Sequence, residues 1–173
     1  SPPPFKVEFF FFDELFSVVA ESNADREIVY KFLKNKLHLL HDVFPIVLEK
    51  WASGVLSFWS PDEAKRLAIA IYNFSLLISS FPLGNQATNL EIAITGHKVV
   101  SSIFTIEAYP ERYANNQINL GAIYGNRTEG KSLDDLELAI ECFSNALNVF
   151  TYKDFPEAWA RLQFRLGIAH LYP

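Results

Sequence analysis

The sequence holds one cysteine, no methionine and no long apolar run, and these scarcities limit the structures and settings that are possible for the chain. Cys142 stands alone, so no internal disulfide can form, and this favours an intracellular, cytoplasmic setting. No apolar run, the phenylalanine run at residues 9–12 included, approaches the roughly 20 residues that cross a bilayer, so we expect no membrane partner. Because position 1 is serine and not methionine, we also expect the chain to be a piece of a larger protein.

Basic residues are in the minority, with 15 Lys and Arg against 20 Asp and Glu and a net charge of −5. No stretch forms the Lys/Arg stripe that contacts phosphates, so we expect no nucleic-acid partner. Hydrophobic residues, by contrast, make up 50% of the 173 residues, and phenylalanine alone contributes 16. This balance is typical of a globular chain with a proper core.

Apolar residues recur at helical spacing along almost the whole chain, while alternating β-branched residues are rare. Pro61, Pro110 and Pro156 indicate helix starts, because the first turn of a helix has no need of the N–H that proline lacks. Ser60 supplies an N-cap before the first of them. We therefore predict an all-α chain. The predicted helices span residues 7–20, 25–38, 41–58, 61–80, 88–107, 110–126, 134–152 and 156–171.

An internal repeat organises the second half of the chain. Shifting the sequence by 46 positions places residues 84–127 over residues 130–173 without a gap, and 13 of the 44 pairs are identical. A period of this size indicates stacked helix pairs, each of which buries its apolar face only against its neighbours. The identical pairs include Leu120-Gly121 and Leu166-Gly167, where a glycine lets two helices approach closely.

The pattern of the repeat resembles the tetratricopeptide repeat. Its period of 46 is longer than the usual unit, as in the long-period repeats of kinesin light chains. The residues from Phe155 to Gly167 look closer to bacterial, notably cyanobacterial, repeat proteins, which often precede a caspase-like CHAT domain or another signalling effector. The residues that match the pattern are Leu120, Gly121, Tyr124, Ala139, Phe143, Ala146 and Leu147.

The resemblance implies an α-α superhelix of antiparallel helix pairs with a helical N-terminal cap. It also implies a protein–protein interaction scaffold that is not an enzyme, and that forms the N-terminal region of a larger signalling or effector protein. In the leading unit Phe74-Ser75 replaces Leu-Gly, so we regard that unit as degenerate. The expected divisions are a cap at 1–60 and repeats at 61–173, made of the degenerate unit 61–107, a unit 110–152 and the first helix of a further unit, 156–171.

In folds of this family the first helix of each unit lines a concave groove. The groove positions here are apolar, where relatives that clamp a peptide carboxylate carry Lys and Asn. We therefore expect an apolar groove that binds a segment of another protein, such as an amphipathic helix. Two alternatives stay open: the chain's own helices fill the groove, or the array only stacks and self-associates. The groove positions are Tyr72, Leu76, Ile118, Ala122, Phe164 and Ile168.

A few residues could carry chemistry, but their surroundings argue against it. His38 and His41 could hold one edge of a metal site, yet no third ligand cluster accompanies them. Cys142 has no His nearby in sequence to act as its base, and its repeat equivalent is Gly96, which indicates a small packing residue. We expect no metal, no cofactor and no catalytic residue.

The two remaining histidines are interpreted through the repeat. His97 takes the place of Phe143 in the other copy, and His170 takes the place of Tyr124. Both equivalents match core positions of the repeat pattern, so we expect both histidines to fill the core.

A nucleotide-binding or enzymatic domain is the alternative from another class. Gly125, followed after four residues by Gly130-Lys131-Ser132, formally matches the phosphate-binding loop. That loop must follow a β-strand, whereas the residues before Gly125 belong to a predicted helix.

The phenylalanine run at the start of the chain has two interpretations. Phe9, Phe12 and Phe16 fall on one helical stripe, while Phe10 and Phe11 point elsewhere. The run is either buried in the cap or an exposed handle that docks on another protein or on a second copy.

Overall fold

The computed structural model describes residues 9–127 and 133–171, and all regular secondary structure in these ranges is helical. The prediction of an all-α chain is therefore confirmed. Within the same ranges, no helix combines the length and the apolar character that crossing a membrane requires. The elements in chain order are α1 (Phe9–Glu21), α2 (Arg26–Lys34), a 3₁₀ turn (Leu37–Leu39), α3 (Phe44–Leu56), α4 (Pro61–Ser79), α5 (Gln86–Ser101), α6 (Pro110–Asn126), α7 (Leu133–Leu147) and α8 (Pro156–His170).

The three helix starts predicted from proline are confirmed, because α4, α6 and α8 begin at Pro61, Pro110 and Pro156. The start of α4 is further defined by a capping box. The Glu63 N–H donates to Ser60 Oγ at 3.3 Å, and the Ser60 N–H donates to Glu63 Oε2 at 3.4 Å. Each side chain thereby satisfies a backbone N–H that has no partner within the helix.

Several helices end earlier than predicted. α5 stops at Ser101 and α7 at Leu147, although the apolar pattern continues to 107 and 152. The pattern continues because Phe104 and Phe150, which lie in the loops, are buried like core residues of a helix. Apolar spacing alone does not separate a buried loop residue from a helical one.

The loops at 102–109 and 148–155 have the same construction. In the first, the Ala108 N–H donates to Thr105 Oγ1 at 3.3 Å, and the ring of Phe104 meets Tyr109 edge-to-face at 5.0 Å. The second loop repeats both contacts at the same distances. The equivalent pairs there are Asp154 with Thr151 and Phe150 with Phe155.

The chain forms two compact units, Ser1–Ile103 and Phe104–Pro173. In the first unit, α1 packs on α2, α3 and α4, and α5 packs on α3 and α4. The residues assigned to the cap and the pair α4–α5 therefore share one unit. Aromatic rings fill its centre: Phe12 lies 5.3 Å from Phe44 and 5.4 Å from Trp51, and Phe16 lies 5.7 Å from Phe74 of α4.

The phenylalanine run divides between core and surface. Phe12 is fully buried as expected, but Phe9, expected on the same stripe, is 54% exposed. Phe11, expected to point away, is buried and stacks on Phe32 of α2 at 5.9 Å. α1 packs against three helices, so its buried arc is wider than one stripe and includes Phe11. Only Phe9 and Phe10 remain on the surface.

In the second unit, α7 packs on α6 and on α8. Two contacts show that α6 and α7 run antiparallel. Gln117 Oε1 accepts a hydrogen bond from Asn145 Nδ2 at 3.2 Å, whereas Gly125, further along α6, faces the earlier residue Ala139 of α7. The two helices therefore form an antiparallel pair.

Gly121 sets the distance between α6 and α7. A Cβ added to Gly121 would lie 2.8 Å from the Phe143 ring and 3.0 Å from Cys142 Cβ. No side chain fits in this space, so the two helices pack more closely here than residues with side chains allow. Cys142 is buried at this crossing, which agrees with its interpretation as a small packing residue.

At the crossing of α4 and α5, the glycine lies on the second helix and the small residue with a side chain lies on the first. Ser75 stands at the position of Gly121, and Gly96 stands at the position of Cys142. A Cβ added to Gly96 would lie 3.2 Å from Ser75 Cβ and would overlap Ser75 Oγ. The Ser75 hydroxyl is held in place, because it donates to the Ile71 carbonyl at 2.7 Å. Each helix pair therefore has one glycine and one small residue at its crossing, and the departure from Leu-Gly in α4 is offset in α5.

Gly96→Ala should destabilise the chain by about 1–3 kcal/mol, because the added methyl overlaps Ser75. Adding Ser75→Gly should recover most of this loss, since the double variant has the arrangement found at Gly121 and Cys142. Gly54→Ala is the matched control, because no atom elsewhere in the described chain lies within 4 Å of its added Cβ. That control should gain about 0.5–1 kcal/mol. Urea unfolding measures all three, and equal losses in the single and double variants would contradict the exchange.

Tyr30 ties α2 to α4, because its hydroxyl donates to the Leu77 carbonyl at 2.6 Å. Burial raises the pKa of Tyr30, although the nearby Arg26 charge lowers it. Tyr30→Phe should therefore reduce the free energy of unfolding by about 1 kcal/mol at neutral pH. Tyr152→Phe, at an exposed position, should change little.

The pH dependence of this difference has a defined sign. Because the folded-state pKa of Tyr30 is raised, the stabilisation is complete below the ordinary tyrosine pKa of about 10 and is lost as pH rises through the folded-state value. The gap between wild type and Tyr30→Phe in urea unfolding should shrink in alkaline buffer. A gap that grows with pH would show that the phenol is not the group responsible.

Candidate partner-binding site

Three of the predicted groove residues line two cavities in the second unit. Ala122 and Ile168 contribute to a cavity of about 130 Å³ formed by α6, α7 and α8, with Phe143 in its wall. Phe164 and Ile168 line a more open groove of about 500 Å³ on α8. Arg165 and Ile168 belong to both, so the two cavities form one surface.

This surface is open on α8 and partly filled on α6. Phe164 is 71% exposed and Ile168 is 41% exposed. Their α6 equivalents, Ile118 and Ala122, are half-buried. Ala160, Arg161, Phe164, Arg165 and Ile168 form the surface that we call the α8 groove.

Tyr72 and Leu76, the other two predicted positions, lie on α4 in the first unit, and both are half-buried. The Tyr72 ring meets the fully buried His97 edge-to-face at 5.7 Å. Part of Tyr72 is therefore used in packing within its own unit, and its role in a groove stays a prediction.

The α8 groove has an apolar floor and a basic edge. Arg161 and Arg165 lie one helical turn apart, and both line the groove together with Phe164. The Arg165 guanidinium lies 5.8 Å from the centre of the Phe143 ring, a cation–π contact that holds it against α7. An apolar segment with acidic neighbours fits this surface better than a basic one.

The two histidines interpreted as core residues differ. His97 is buried, as expected, but the expectation for His170 is wrong, because His170 is exposed. Its equivalent, Tyr124, is buried in α6. Within the described residues, no helix packs on the corresponding face of α8, so the same position is open to solvent.

The remaining histidines have ordinary surroundings. His38 is exposed in the 3₁₀ turn, and His41 Nδ1 accepts a hydrogen bond from the Val43 N–H at 3.3 Å. Among the residues that the structure describes, no group of three or more His, Cys, Asp or Glu is placed to hold a metal ion.

The loop that formally matches a phosphate-binding motif follows a helix. Gly125 lies in the last turn of α6, and Gly130-Lys131-Ser132 lies outside the described residues. Asp134 and Asp135 occupy the first turn of α7, and Asp135 lies 3.9 Å from Arg127. The positive end of α7 is therefore already faced by carboxylates, which repel a phosphate.

One cavity was not found from the sequence. It measures about 540 Å³ and lies in the first unit among α1, α3 and α4. Trp59, beside the almost fully exposed Phe58, forms part of its wall. Two adjacent aromatic residues directly before the Ser60-Pro61 helix start were the available signal. The lining residues are Asp13, Phe16, Ser17, Ala20, Trp51, Trp59, Glu63, Arg66, Leu67 and Ala70.

Comparisons with known proteins found no relative of the chain. No protein-family model, no curated protein and no solved structure matches the chain.

Exposure of Phe164 has a direct test. Phe164→Asp should leave the free energy of unfolding within about 0.5 kcal/mol of wild type, because the ring has few contacts to lose. Leu162→Asp is the matched variant two positions away, where the side chain is 1% exposed. It should lose more than about 3 kcal/mol through an unpaired buried charge. Urea unfolding compares them, and equal damage from both would show that the chain's own helices fill the α8 groove.

Proposed function

We propose that this chain is a tetratricopeptide-type repeat domain whose function is to bind another protein. In this proposal its helix pairs form a superhelix, and it works in the cytoplasm as a scaffold or as the N-terminal region of a larger signalling or effector protein. It catalyses no reaction of its own. The observation that carries the proposal is the α8 groove, where Phe164 is 71% exposed and Ile168 lies one turn away. Adjacent large apolar side chains on a surface mark interaction sites.

The repeated construction supports the assignment to helical repeats. The loops at 102–109 and 148–155 share their hydrogen bond and their ring contact, and both lead into a helix that starts with proline. The crossings at Ser75 and Gly96, and at Gly121 and Cys142, use one glycine each. Repeats of this type bind partners through their surfaces and not through a catalytic centre.

The chemistry of the groove favours a helical segment as partner. Full burial of a side chain such as Phe164 contributes about 1.5–3 kcal/mol before the cost of association, so a specific complex needs several such contacts. Arg161 and Arg165 add a preference for acidic residues beside the apolar ones. An amphipathic helix presents this combination, with apolar residues on one face and charged residues on its flanks.

Nucleotide binding, the alternative from another class, has a separate test. A nucleotide that binds the folded chain raises its melting temperature as the nucleotide concentration increases. We expect ATP and GTP, each with Mg²⁺, to leave the melting temperature unchanged. A concentration-dependent rise would contradict the proposed function.

The protein-binding function can be tested with a displayed library of amphipathic helices selected on the 173-residue chain. Selected helices should bind wild type at least tenfold more tightly than Phe164→Asp, because the substitution places a charge in the apolar floor. Leu133→Asp is the matched control, since Leu133 is a similarly exposed apolar residue in the same unit but lies outside the α8 groove. Helices that bind Phe164→Asp equally well would contradict the groove, and a selection that yields no helix would contradict the function.

A further inference from the structure

The cavity of about 540 Å³ in the first unit lies between two helices that line it with the same residue spacing. α1 and α4 each contribute residues at positions i, i+3, i+4 and i+7, which share one side of a helix. The residues are Asp13, Phe16, Ser17 and Ala20 on α1, and Glu63, Arg66, Leu67 and Ala70 on α4. Three of them are serine or alanine, and their small side chains leave the cavity open. Pockets that bind small molecules measure roughly 300–1,000 Å³, so this cavity is large enough for one.

The floor of the cavity is aromatic and apolar. Phe16 and Trp51 are buried and stack with their ring centres 5.4 Å apart. Leu67 and Ala70 of α4 are buried as well. Trp59, which forms part of the wall, is 38% exposed, so some of its ring is open to an incoming group. An aromatic ring fits this floor, because aromatic rings gain from stacked and edge-to-face contacts with one another.

The rim of the cavity carries charges of both signs. Asp13, Glu63 and Arg66 line the cavity and are exposed. Glu63 Oε2 accepts a hydrogen bond from the Ser60 N–H at 3.4 Å, which leaves the other carboxylate oxygen available. Within the described parts of the chain, none of the three charged side chains forms an ion pair with another residue. Both an acidic and a basic group are therefore available to a ligand at one rim.

A ligand with a charge of one sign fits this rim poorly. An organic cation meets Arg66, and an organic anion meets Asp13 and Glu63, so each is repelled by part of the rim. A ligand with an ammonium group and a carboxylate on the same carbon pairs with both signs at once. A residue inside a polypeptide, whether of a partner or of this chain, has neither α-charge and covers only the floor. The rim and the floor together therefore fit a free amino acid with an aromatic side chain.

We propose that this cavity binds a free aromatic amino acid. The aromatic ring of the ligand lies on the floor formed by Phe16 and Trp51. Its carboxylate accepts hydrogen bonds from the Arg66 guanidinium, whose planar donors match a carboxylate, and its ammonium group donates to Asp13 and Glu63. The site lies in the first unit, whereas the α8 groove lies in the second, so the inference does not depend on the proposed function of protein binding.

Phenylalanine is the probe, titrated into the 173-residue chain by isothermal titration calorimetry. We expect saturable binding of one phenylalanine per chain. Phenylalanine amide, which lacks the carboxylate, and N-acetylphenylalanine, which lacks the ammonium group, should each bind at least tenfold more weakly. Alanine, which has both charges and no ring, should also bind at least tenfold more weakly.

Two variants assign the charges of the ligand to their partners. Arg66→Gln should weaken the binding of phenylalanine at least tenfold but should not weaken that of phenylalanine amide, which has no carboxylate. Asp13→Asn should weaken phenylalanine but not N-acetylphenylalanine. Arg161→Gln and Asp62→Asn are the matched controls, since both residues are exposed and neither lines the cavity. All four substitutions change exposed side chains, so each variant should fold as well as wild type, which circular dichroism verifies.

Tryptophan fluorescence locates the bound ligand independently. Two of the three tryptophans, Trp51 and Trp59, line the cavity, and the third is Trp159 in α8. Phenylalanine should therefore change the tryptophan emission of wild type and of Trp159→Phe alike. The change should be smaller in Trp59→Phe.

The remaining outcomes overturn the inference. If wild type does not bind phenylalanine, the cavity is not an amino-acid site, and the proposed function still stands on its own test at Phe164. If phenylalanine amide binds as tightly as phenylalanine, the site takes a cation. If N-acetylphenylalanine does so, the site takes a carboxylate such as the end of a peptide. Binding that neither Arg66→Gln nor Asp13→Asn weakens takes place elsewhere on the chain.

Discussion

The rest of the structure depends on one constraint: where two paired helices cross, one of the two facing residues must lack a side chain. At Gly121 a Cβ would lie 2.8 Å from the Phe143 ring, so α7 reaches its place on α6 only because that Cβ is absent. The close approach then allows Gln117 to bond Asn145 across the pair at 3.2 Å. What the crossing requires is a small total volume and not a glycine on one particular helix, because close-packed interiors are sensitive to volume.

This constraint explains why the leading unit does not look like a repeat in sequence. A pattern that demands Leu-Gly on the first helix rejects Phe74-Ser75, and the compensating glycine, Gly96, lies on the other helix. The serine on α4 and the glycine on α5 are recognised as compensating changes only when the contact between Ser75 and Gly96 is known. Sequence reasoning treated each position separately, so it identified the small residue at Gly96 but not the exchange that made it necessary.

Local signals were predictable from the sequence, whereas burial was predictable only in part. Proline placed three helix starts correctly, because its effect is confined to the first helical turn. The exposure of Phe9 and of His170 was not predicted, since both depend on which helices pack against α1 and α8. The same limit applies to the site. The resemblance supplied Phe164 and Ile168 as positions, but their exposure follows from the packing around α8.

The divergence between the two repeat copies argues that the open face of α8 is kept for a contact. Only 13 of the 44 aligned pairs are identical, yet α8 keeps four of five buried α6 residues, namely those at Ala114, Gln117, Leu120, Gly121 and Tyr124. An exposed helical glycine such as Gly167 costs about 0.5–1 kcal/mol relative to alanine, so it is a poor choice for a surface that only meets water. The one residue that differs is Tyr124, which corresponds to His170, and a histidine ring is tolerated in water and can still pack when covered. A helix that retains glycine, glutamine and leucine at these positions therefore has the sequence of one member of a helix pair. These residues become buried only when a second helix packs against them.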